Sequence, residues 1–317
     1  MSPALLAVDW GTTALRGALL AADGRVLAQH ASERGLLSIA EGGWAAAFDA
    51  EFGAWRRSHP GLPCLMAGMV GSRQGWAEAP YCPCPAGPGD LAAHLLHLPP
   101  DEAGHGGPVC IVPGLSTEGG GTPDVMRGEE TQILGALQTL GLMQGNDDAT
   151  LVLPGTHSKW ATVQGGRIVH FTTHMTGECY ALLRQHSILA RTLPADDTTW
   201  VPEAFDDGVH HAQLPGGLLH HLFSVRSLGL FNRLDGAAAA ARLSGLLIGE
   251  ELRAQGLVAG QAVTVVGSAL LTHRYERALG LLGLTVRSVG ADASWRGLAS
   301  LAARAGLFTT AASAATR

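Results

Sequence analysis

Charge is scarce in this chain. Asp, Glu, Lys and Arg make up 15% of its 317 residues, and the net charge is −6. No run of basic residues occurs, which argues against nucleic acid as the main partner. Every apolar run meets a Glu or Arg well before 18 residues, so no membrane span is expected. The start lacks a basic segment and reaches Asp9 early, which argues against a secretory signal and for a cytoplasmic protein. Cys64, Cys82, Cys84, Cys110 and Cys179 match no zinc-binding spacing and are expected as free thiols. No Gly-x-Gly-x-x-Gly follows the first apolar run, and no eight-residue phosphate loop ends in Gly-Lys-Thr. A dinucleotide-binding dehydrogenase and a P-loop ATPase are therefore both disfavoured. His210-His211 and His220-His221 form a weak metal pattern, for which exposed histidines are the expected reading.

What the chain does have is apolar mass and glycine. Hydrophobic residues are 46%, glycines number 43, and the length suits about two domains. One pattern occurs twice. Leu5–Asp9 leads into Trp10-Gly11-Thr12-Thr13, and Leu151–Leu153 leads into Pro154-Gly155-Thr156-His157-Ser158-Lys159-Trp160. Each reads as strand, tight turn, strand. Glycine lets a ligand approach the backbone, and turn N–H and Thr hydroxyl groups can donate to phosphate oxygens. One such turn is usually a plain hairpin. Two in matching contexts suggest a duplicated domain gripping a nucleotide. Asp9, at the end of the first strand, is placed to hold a hydrated Mg²⁺.

Strands are expected at 4–9, 14–20 and 25–34, with Asp23-Gly24 as a hairpin turn. Trp44, Phe48, Phe52 and Trp55 form a helical stripe best explained by core packing. A buried strand covers 62–69, residues 80–88 are a loop or sheet edge, 109–112 is a strand, and Gly119–Gly121 is a flexible loop. A helix spans 128–142 with Glu129 and Glu130 in its first turn, where the dipole favours acids. The domain boundary is placed at 146/147. The second half repeats the theme with strands at 150–154, 157–163 and 167–173, turning at Gly165-Gly166, and then a helix from Thr176 to Leu189. Residues 194–235 read as irregular with short helices. Helices at 237–255, 270–282 and 293–305 alternate with strands at 262–266 and 284–289. Residues 309–317 are expected to fray.

Five blocks then carry a resemblance: Val8–Thr13, Met66–Ser72, Val125–Gln132, Pro154–Trp160 and Met175–Glu178. With the turn at Gly267-Ser268 they resemble the actin, Hsp70 and sugar-kinase superfamily, and within it the 2-dehydro-3-deoxygalactonokinases. That resemblance implies an α/β protein of two similar actin-like (ribonuclease H-like) domains, 1–146 and 147–317. Mixed sheets are flanked by helices, the last helix is free to pack back on the first domain, and the active site lies in the interdomain cleft. It implies ATP-dependent transfer to the 6-hydroxyl of a 2-oxo-3-deoxy sugar acid, with ATP and Mg²⁺ as cofactors. Gly11, Thr12, Thr13, Gly155, Thr156, His157 and Lys159 would serve the phosphates, and Gly267 and Ser268 the adenosine. Glu129 or Glu130 would be the base, with Glu129 preferred, beside Asp9 at the metal. Arg16, Ser72, Arg127 and Thr176 are candidates for substrate or phosphate contact. A 2-dehydro-3-deoxygluconate kinase and a nucleotide-switch protein of the Hsp70 or actin kind are the alternatives. No membrane or nucleic-acid partner is expected, and a homodimer is left open.

Two phosphate motifs in two domains predict closure around ligand. The radius of gyration from small-angle scattering should fall when ATP and sugar acid are added together, and an unchanged radius would count against a hinged clamp.

Overall fold

A computed structural model describes residues 2–100, 106–143, 148–196 and 198–308. The chain divides into two compact units. The first holds residues 1–148, 161–171 and 291–317, and the second holds 149–160 and 172–290. The expected boundary at 146/147 and the expected frayed end at 309–317 fall outside the described residues.

The first unit opens with β1 (Leu5–Trp10), β2 (Leu15–Leu20) and β3 (Val26–Ser32), an antiparallel meander. Gly24, at φ 81°, makes the turn from β2 to β3. Helix α1 (Trp44–Ser58) follows and buries Trp44, Phe48 and Phe52 against Leu6, Val8 and Trp10 of β1. Next come β4 (Cys64–Gly68), the short β5 (Tyr81–Pro83), α2 (Pro88–Ala93), β6 (Leu96–His97) and β7 (Val109–Ile111). β4 runs parallel to β1, and β7 parallel to β4. The six-stranded sheet is ordered β3-β2-β1-β4-β7-β6.

A second, small sheet was not expected. β8 (Gly114–Gly119) and β9 (Thr122–Met126) pair in register, and β5 adds as the edge, giving the order β5-β8-β9. The supposed flexible loop at Gly119–Gly121 is the hairpin turn, with Gly120 and Gly121 at φ 58° and 78°. Two consecutive positive φ values are what a two-residue hairpin turn requires. Helix α3 (Glu129–Leu140) follows directly.

The second half begins with β10 (Ala149–Leu153), β11 (Ser158–Gln164), β12 (Arg167–His174) and α4 (Thr176–His186). The turn end of the β11–β12 hairpin is grouped with the first unit, where Arg167 pairs with Asp90 at 2.9 Å. Helices α5 (Pro202–Ala212), α6 (Leu218–Leu230) and α7 (Gly236–Ala254) come next. They are followed by β13 (Ala262–Gly267), α8 (Ala269–Leu281), β14 (Thr285–Gly290) and α9 (Ala293–Arg304). The five-stranded sheet is ordered β12-β11-β10-β13-β14.

The region 194–235 is therefore more regular than its sequence suggests. The α5–α7 contact is made by small residues. A Cβ on Gly208 would lie 2.4 Å from the Arg242 carbonyl oxygen, and one on Gly245 would lie 2.1 Å from that of Phe205. Backbones in such close approach leave little hydrophobic periodicity to read. In the same segment His221 is buried rather than exposed, and no cluster of His, Cys, Asp or Glu suited to a metal occurs among the described residues. All five cysteines are free thiols. Among the described residues no helix is long and apolar enough to cross a membrane.

Helices α3 and α9 cross just as tightly inside the first unit. A Cβ on Gly135 would sit 1.8 Å from the Ala293 carbonyl oxygen, and one on Gly297 would sit 1.9 Å from that of Thr131. Backbone cannot rotate away as a side chain can, so Gly135→Ala should destabilise the protein by about 2 kcal/mol or more. Gly280→Ala on α8, where a Cβ meets nothing within 4 Å, should instead be neutral or stabilise by about 0.5–1 kcal/mol. Urea midpoints of the two variants check the contrast.

Candidate functional site

In the first unit the site is assembled by glycines. The turn after β1 closes through Gly11 N–H to the Ala14 carbonyl at 2.9 Å. The Leu36 and Leu37 amides donate to the Gly11 and Thr12 carbonyls at 3.0 and 3.1 Å, which fixes the turn from outside. Thr12 and Thr13 are exposed, and among the described residues their N–H and hydroxyl groups have no acceptor. Those donors are the ones a phosphate would use. Gly68, at φ 96°, closes β4 against β1, where a Cβ would be 2.7 Å from the Trp10 carbonyl oxygen. Gly128, at φ 107°, stacks on Gly68, with a Cβ 3.1 Å from its Cα. This stack brings the start of α3 to the carboxyl ends of β1 and β4.

Asp9 is less free than expected. Arg16, opposite it on β2, donates to its Oδ2 in an ion pair, and the Ser294 hydroxyl donates to the same oxygen at 3.3 Å. The Arg16 guanidinium also lies 5.5 Å from the Trp295 ring centroid. Arg16, a candidate for substrate or phosphate, is thus engaged with Asp9, and Ser294 is a site neighbour that sequence reasoning did not pick out.

The two glutamates at the start of α3 differ. Glu130 is fully buried, and its Oε2 accepts from the Gly128 amide at 2.7 Å while Oε1 has no partner. Burial first, and the nearby Glu129 second, push its carboxyl up to about 8. Glu129 is partly exposed and accepts from the Arg127 amide at 3.0 Å. Arg127 itself stacks on Tyr81 at 4.5 Å and donates through Nη2 to the Ala79 carbonyl at 2.8 Å. Its Nε and Nη1 are buried with no hydrogen-bond partner, and so is the Ser72 hydroxyl. Gly71 is next to Ser72, and a Cβ there would stand 3.1 Å from Arg127 Nη1. Unpaired buried donors are costly in a folded protein and call for an explanation such as a bound ligand.

In the second unit, Gly155 and Thr156 lie against the start of α4. A Cβ on Gly177 would be 2.4 Å from the Gly155 carbonyl oxygen, and the Glu178 amide donates to the Thr156 carbonyl at 3.0 Å. His157 Nε2 meets Glu178 Oε2 at 2.5 Å. Lys159, the only lysine in the chain, is buried rather than at the surface and donates to the Thr173 hydroxyl at 2.8 Å. Gly267 ends β13 close to Pro154, and Ser268 precedes α8. A pocket is lined by Gly155, Tyr180, Leu247, Ile248, Leu271 and Arg274.

The organiser of this second cluster is Glu251 of α7, which the sequence reading missed. It accepts from the Ser158 hydroxyl at 2.7 Å, the Trp160 indole at 2.6 Å, the Tyr275 hydroxyl at 2.8 Å and the Thr176 hydroxyl. Burial, and then Glu251, hold the Tyr275 hydroxyl well above its usual range, so it stays protonated and donates. Thr176, a candidate for substrate or phosphate contact, donates its hydroxyl to Glu251.

A family model described as 2-keto-3-deoxy-galactonokinase matches residues 9–301. The chain belongs to that kinase family. It is a phosphotransferase with an alcohol group as acceptor, and every site residue named above lies in the matched stretch. A Rhizobium meliloti protein named a probable 2-dehydro-3-deoxygalactonokinase is 39% identical, over 94% of this chain and 96% of its own. The Escherichia coli 2-dehydro-3-deoxygalactonokinase is 34% identical, over 95% and 98%. A Sinorhizobium meliloti crystal structure named for the same activity has a TM-score of 0.83 at 38% identity, covering 95% of this chain and 98% of that one. Component A of the Acidaminococcus fermentans (R)-2-hydroxyglutaryl-CoA dehydratase shares the fold alone, at a TM-score of 0.51 and 12% identity. The chain thus has the actin-like α/β architecture expected of it, with helix-flanked mixed sheets.

Glu130 supplies a pH test. Its folded pKa stands above its unfolded value near 4.5. The stability it contributes is fully present below the unfolded value and is lost as pH rises through about 8. Glu130→Gln should therefore match the parent near pH 5 and exceed it by about 1 kcal/mol or more at pH 8.5. Urea denaturation at both pH values decides, and equal losses in the two proteins would contradict the burial of an ionisable Glu130.

Proposed function

We propose that this enzyme transfers the γ-phosphoryl group of ATP to the 6-hydroxyl of 2-dehydro-3-deoxygalactonate, giving the 6-phosphate and ADP. The observation that carries the residue assignment is the set of three buried, unpartnered donors on Ser72 and on Arg127, which lies two residues before Glu129. A guanidinium with two free nitrogens suits the planar carboxylate of a sugar acid, and a hydroxyl adds a third donor.

Glu129 is the base in this reading. It takes the proton from the 6-hydroxyl as that oxygen attacks phosphorus. Its partial exposure makes it reachable, whereas Glu130 is sealed and, with a carboxyl near 8, is protonated at neutral pH. Glu130 supports the α3 start instead, through the Gly128 amide. Thr12 and Thr13 offer their unused donors to phosphate oxygens, as do Gly155 and Thr156 in the second unit. Leu247, Ile248 and Leu271 suit the apolar face of an adenine, with Gly267 and Ser268 proposed for the adenosine as well.

Mg²⁺ fits the residues present. Asp9 commits Oδ2 to Arg16 and Ser294 and leaves Oδ1 for a hydrated cation. Mg²⁺ keeps several waters and needs only one or two carboxylates beside the phosphates. The ion would neutralise charge on the transferring group. Arg16 and Ser294 orient the Asp9 carboxylate.

Two variants test the assignment in one steady-state assay. Glu129→Gln should lower kcat by about 10²–10⁴ with little change in the KM for ATP. Arg127→Ala should cut kcat/KM for the sugar acid by about ten- to a hundredfold and leave ATP nearly unaffected. A large loss in Glu130→Gln and none in Glu129→Gln would move the base. A loss confined to ATP in Arg127→Ala would move that residue to the phosphates.

A further inference from the structure

Asp9 and Arg16 face each other across β1 and β2, yet what closes their pair comes from the far end of the chain. The first turn of α9 supplies Ser294, 285 residues from Asp9, and Trp295 beside it. The Ser294 hydroxyl donates to Asp9 Oδ2 at 3.3 Å and accepts from Arg16 Nη2 at 3.4 Å. Trp295 is buried, and its ring centroid lies 5.5 Å from the central carbon of the Arg16 guanidinium, within reach of a cation–π contact. Buried indole N–H groups usually find an acceptor. That of Trp295 has none among the described residues. What the ring contributes here is therefore its face, not its polar edge.

Arg16 needs such a restraint. Its side chain is 34% exposed, and an ion pair that open is held weakly. A guanidinium on a long stem also gives up rotamer freedom when it is fixed. It has somewhere else to go as well. Arg16 and Trp295 line a cavity of about 200 Å³ together with Gln29, His30, Ala31 and Asp292. There the Asp292 carboxylate competes with Asp9 for the guanidinium. A phosphate brought in by the nucleotide would compete too. Among aromatic faces the indole attracts a cation most strongly, and that attraction favours the position on Asp9.

We propose, on the reading of Asp9 as the metal carboxylate, that Trp295 is a positioning residue for phosphoryl transfer: its ring pins the Arg16 guanidinium on Asp9 Oδ2, which sets the carboxylate and leaves Oδ1 free. Trp295 touches neither substrate nor nucleotide in this role and acts only through Arg16. Ser294 and Trp295, adjacent in one helical turn, thus hold the Asp9–Arg16 pair by a hydrogen bond and by a ring face.

Steady-state kinetics and urea unfolding of Trp295→Leu, Trp295→Phe, Arg16→Met and the Arg16→Met/Trp295→Leu double variant test it. Trp295→Leu should lower kcat by about ten- to a hundredfold, the scale of a misplaced catalytic group, with the KM for the sugar acid changed by less than about twofold. Trp295→Phe keeps a ring face and drops the unpaired N–H, and should hold kcat within about threefold of the parent. In the Arg16→Met background, Trp295→Leu should cost less than about twofold, because the ring acts through Arg16. In urea, with neither Mg²⁺ nor nucleotide present, the double variant should lose at least about threefold less of the folding constant than the two single variants combined. Equal kcat losses in both backgrounds make Trp295 ordinary core packing and overturn the proposal. So do additive losses in urea, a Trp295→Phe protein as slow as Trp295→Leu, or a Trp295→Leu protein as fast as the parent. Trp295→Met, which fills more of the ring's volume, gives the same reading if Trp295→Leu does not fold. Asp9→Asn assayed alongside separates the failures. Near-parental kcat there removes the metal carboxylate and this role with it, whereas a large loss in Asp9→Asn beside none in Trp295→Leu removes the role of the ring alone.

Discussion

Four donors converge on the buried carboxylate of Glu251, and the second unit is organised around that convergence. A carboxyl group at 2% exposure is costly unless its oxygens are satisfied. Here Ser158 and Trp160 of β11, Thr176 at the head of α4 and Tyr275 of α8 all donate to one residue of α7. Four elements are therefore held in register by one side chain. Ser158 sits directly after the Gly155–His157 turn, and Thr176 directly before the Gly177 that backs it. Removing the carboxylate would take the acceptor from all four donors at once, a larger loss than any single hydrogen bond represents.

The first unit solves its positioning problem with close backbone approaches rather than a polar hub. Gly68 lets β4 end against Trp10, and Gly128 lets α3 begin against Gly68. Glu129 and Arg127 flank that second glycine, so the proposed base and carboxylate anchor share one fixed turn. The polar counterpart is small: Arg16 and Ser294 both donate to one oxygen of Asp9. Ser294 lies in the first turn of α9, whose crossing with α3 through Gly135 and Gly297 ties the two halves of this cluster together.

Much of this was legible in the sequence because it is local. The β1–β3 and β10–β12 meanders follow from apolar runs broken at Asp23-Gly24 and Gly165-Gly166, and α1 from its aromatic stripe. Ser72 and Arg127 were named as substrate candidates, and both carry unpartnered buried donors. What escaped is non-local. Glu251 finds its partners 24 to 93 residues away, although it does lie on the same helical stripe as the buried Ser244 and Leu247. The hairpin at Gly119–Gly121 looked like a loop because its strands contain Thr122, Glu118 and Pro123 at exposed positions. Helices α5 and α7 meet through glycines, which carry no hydrophobic signal.

The central claim is that this chain couples ATP to a 2-oxo-3-deoxy sugar acid and to little else. A coupled assay for ADP release measures it most directly, run on the unmodified protein with Mg²⁺-ATP and a panel of acceptors. ADP should appear with 2-dehydro-3-deoxygalactonate, together with a 6-phosphorylated product, and at no more than a trace rate with glucose, glycerol or no acceptor. ADP release that is independent of any acceptor, or efficient phosphorylation of a neutral sugar, would contradict the account.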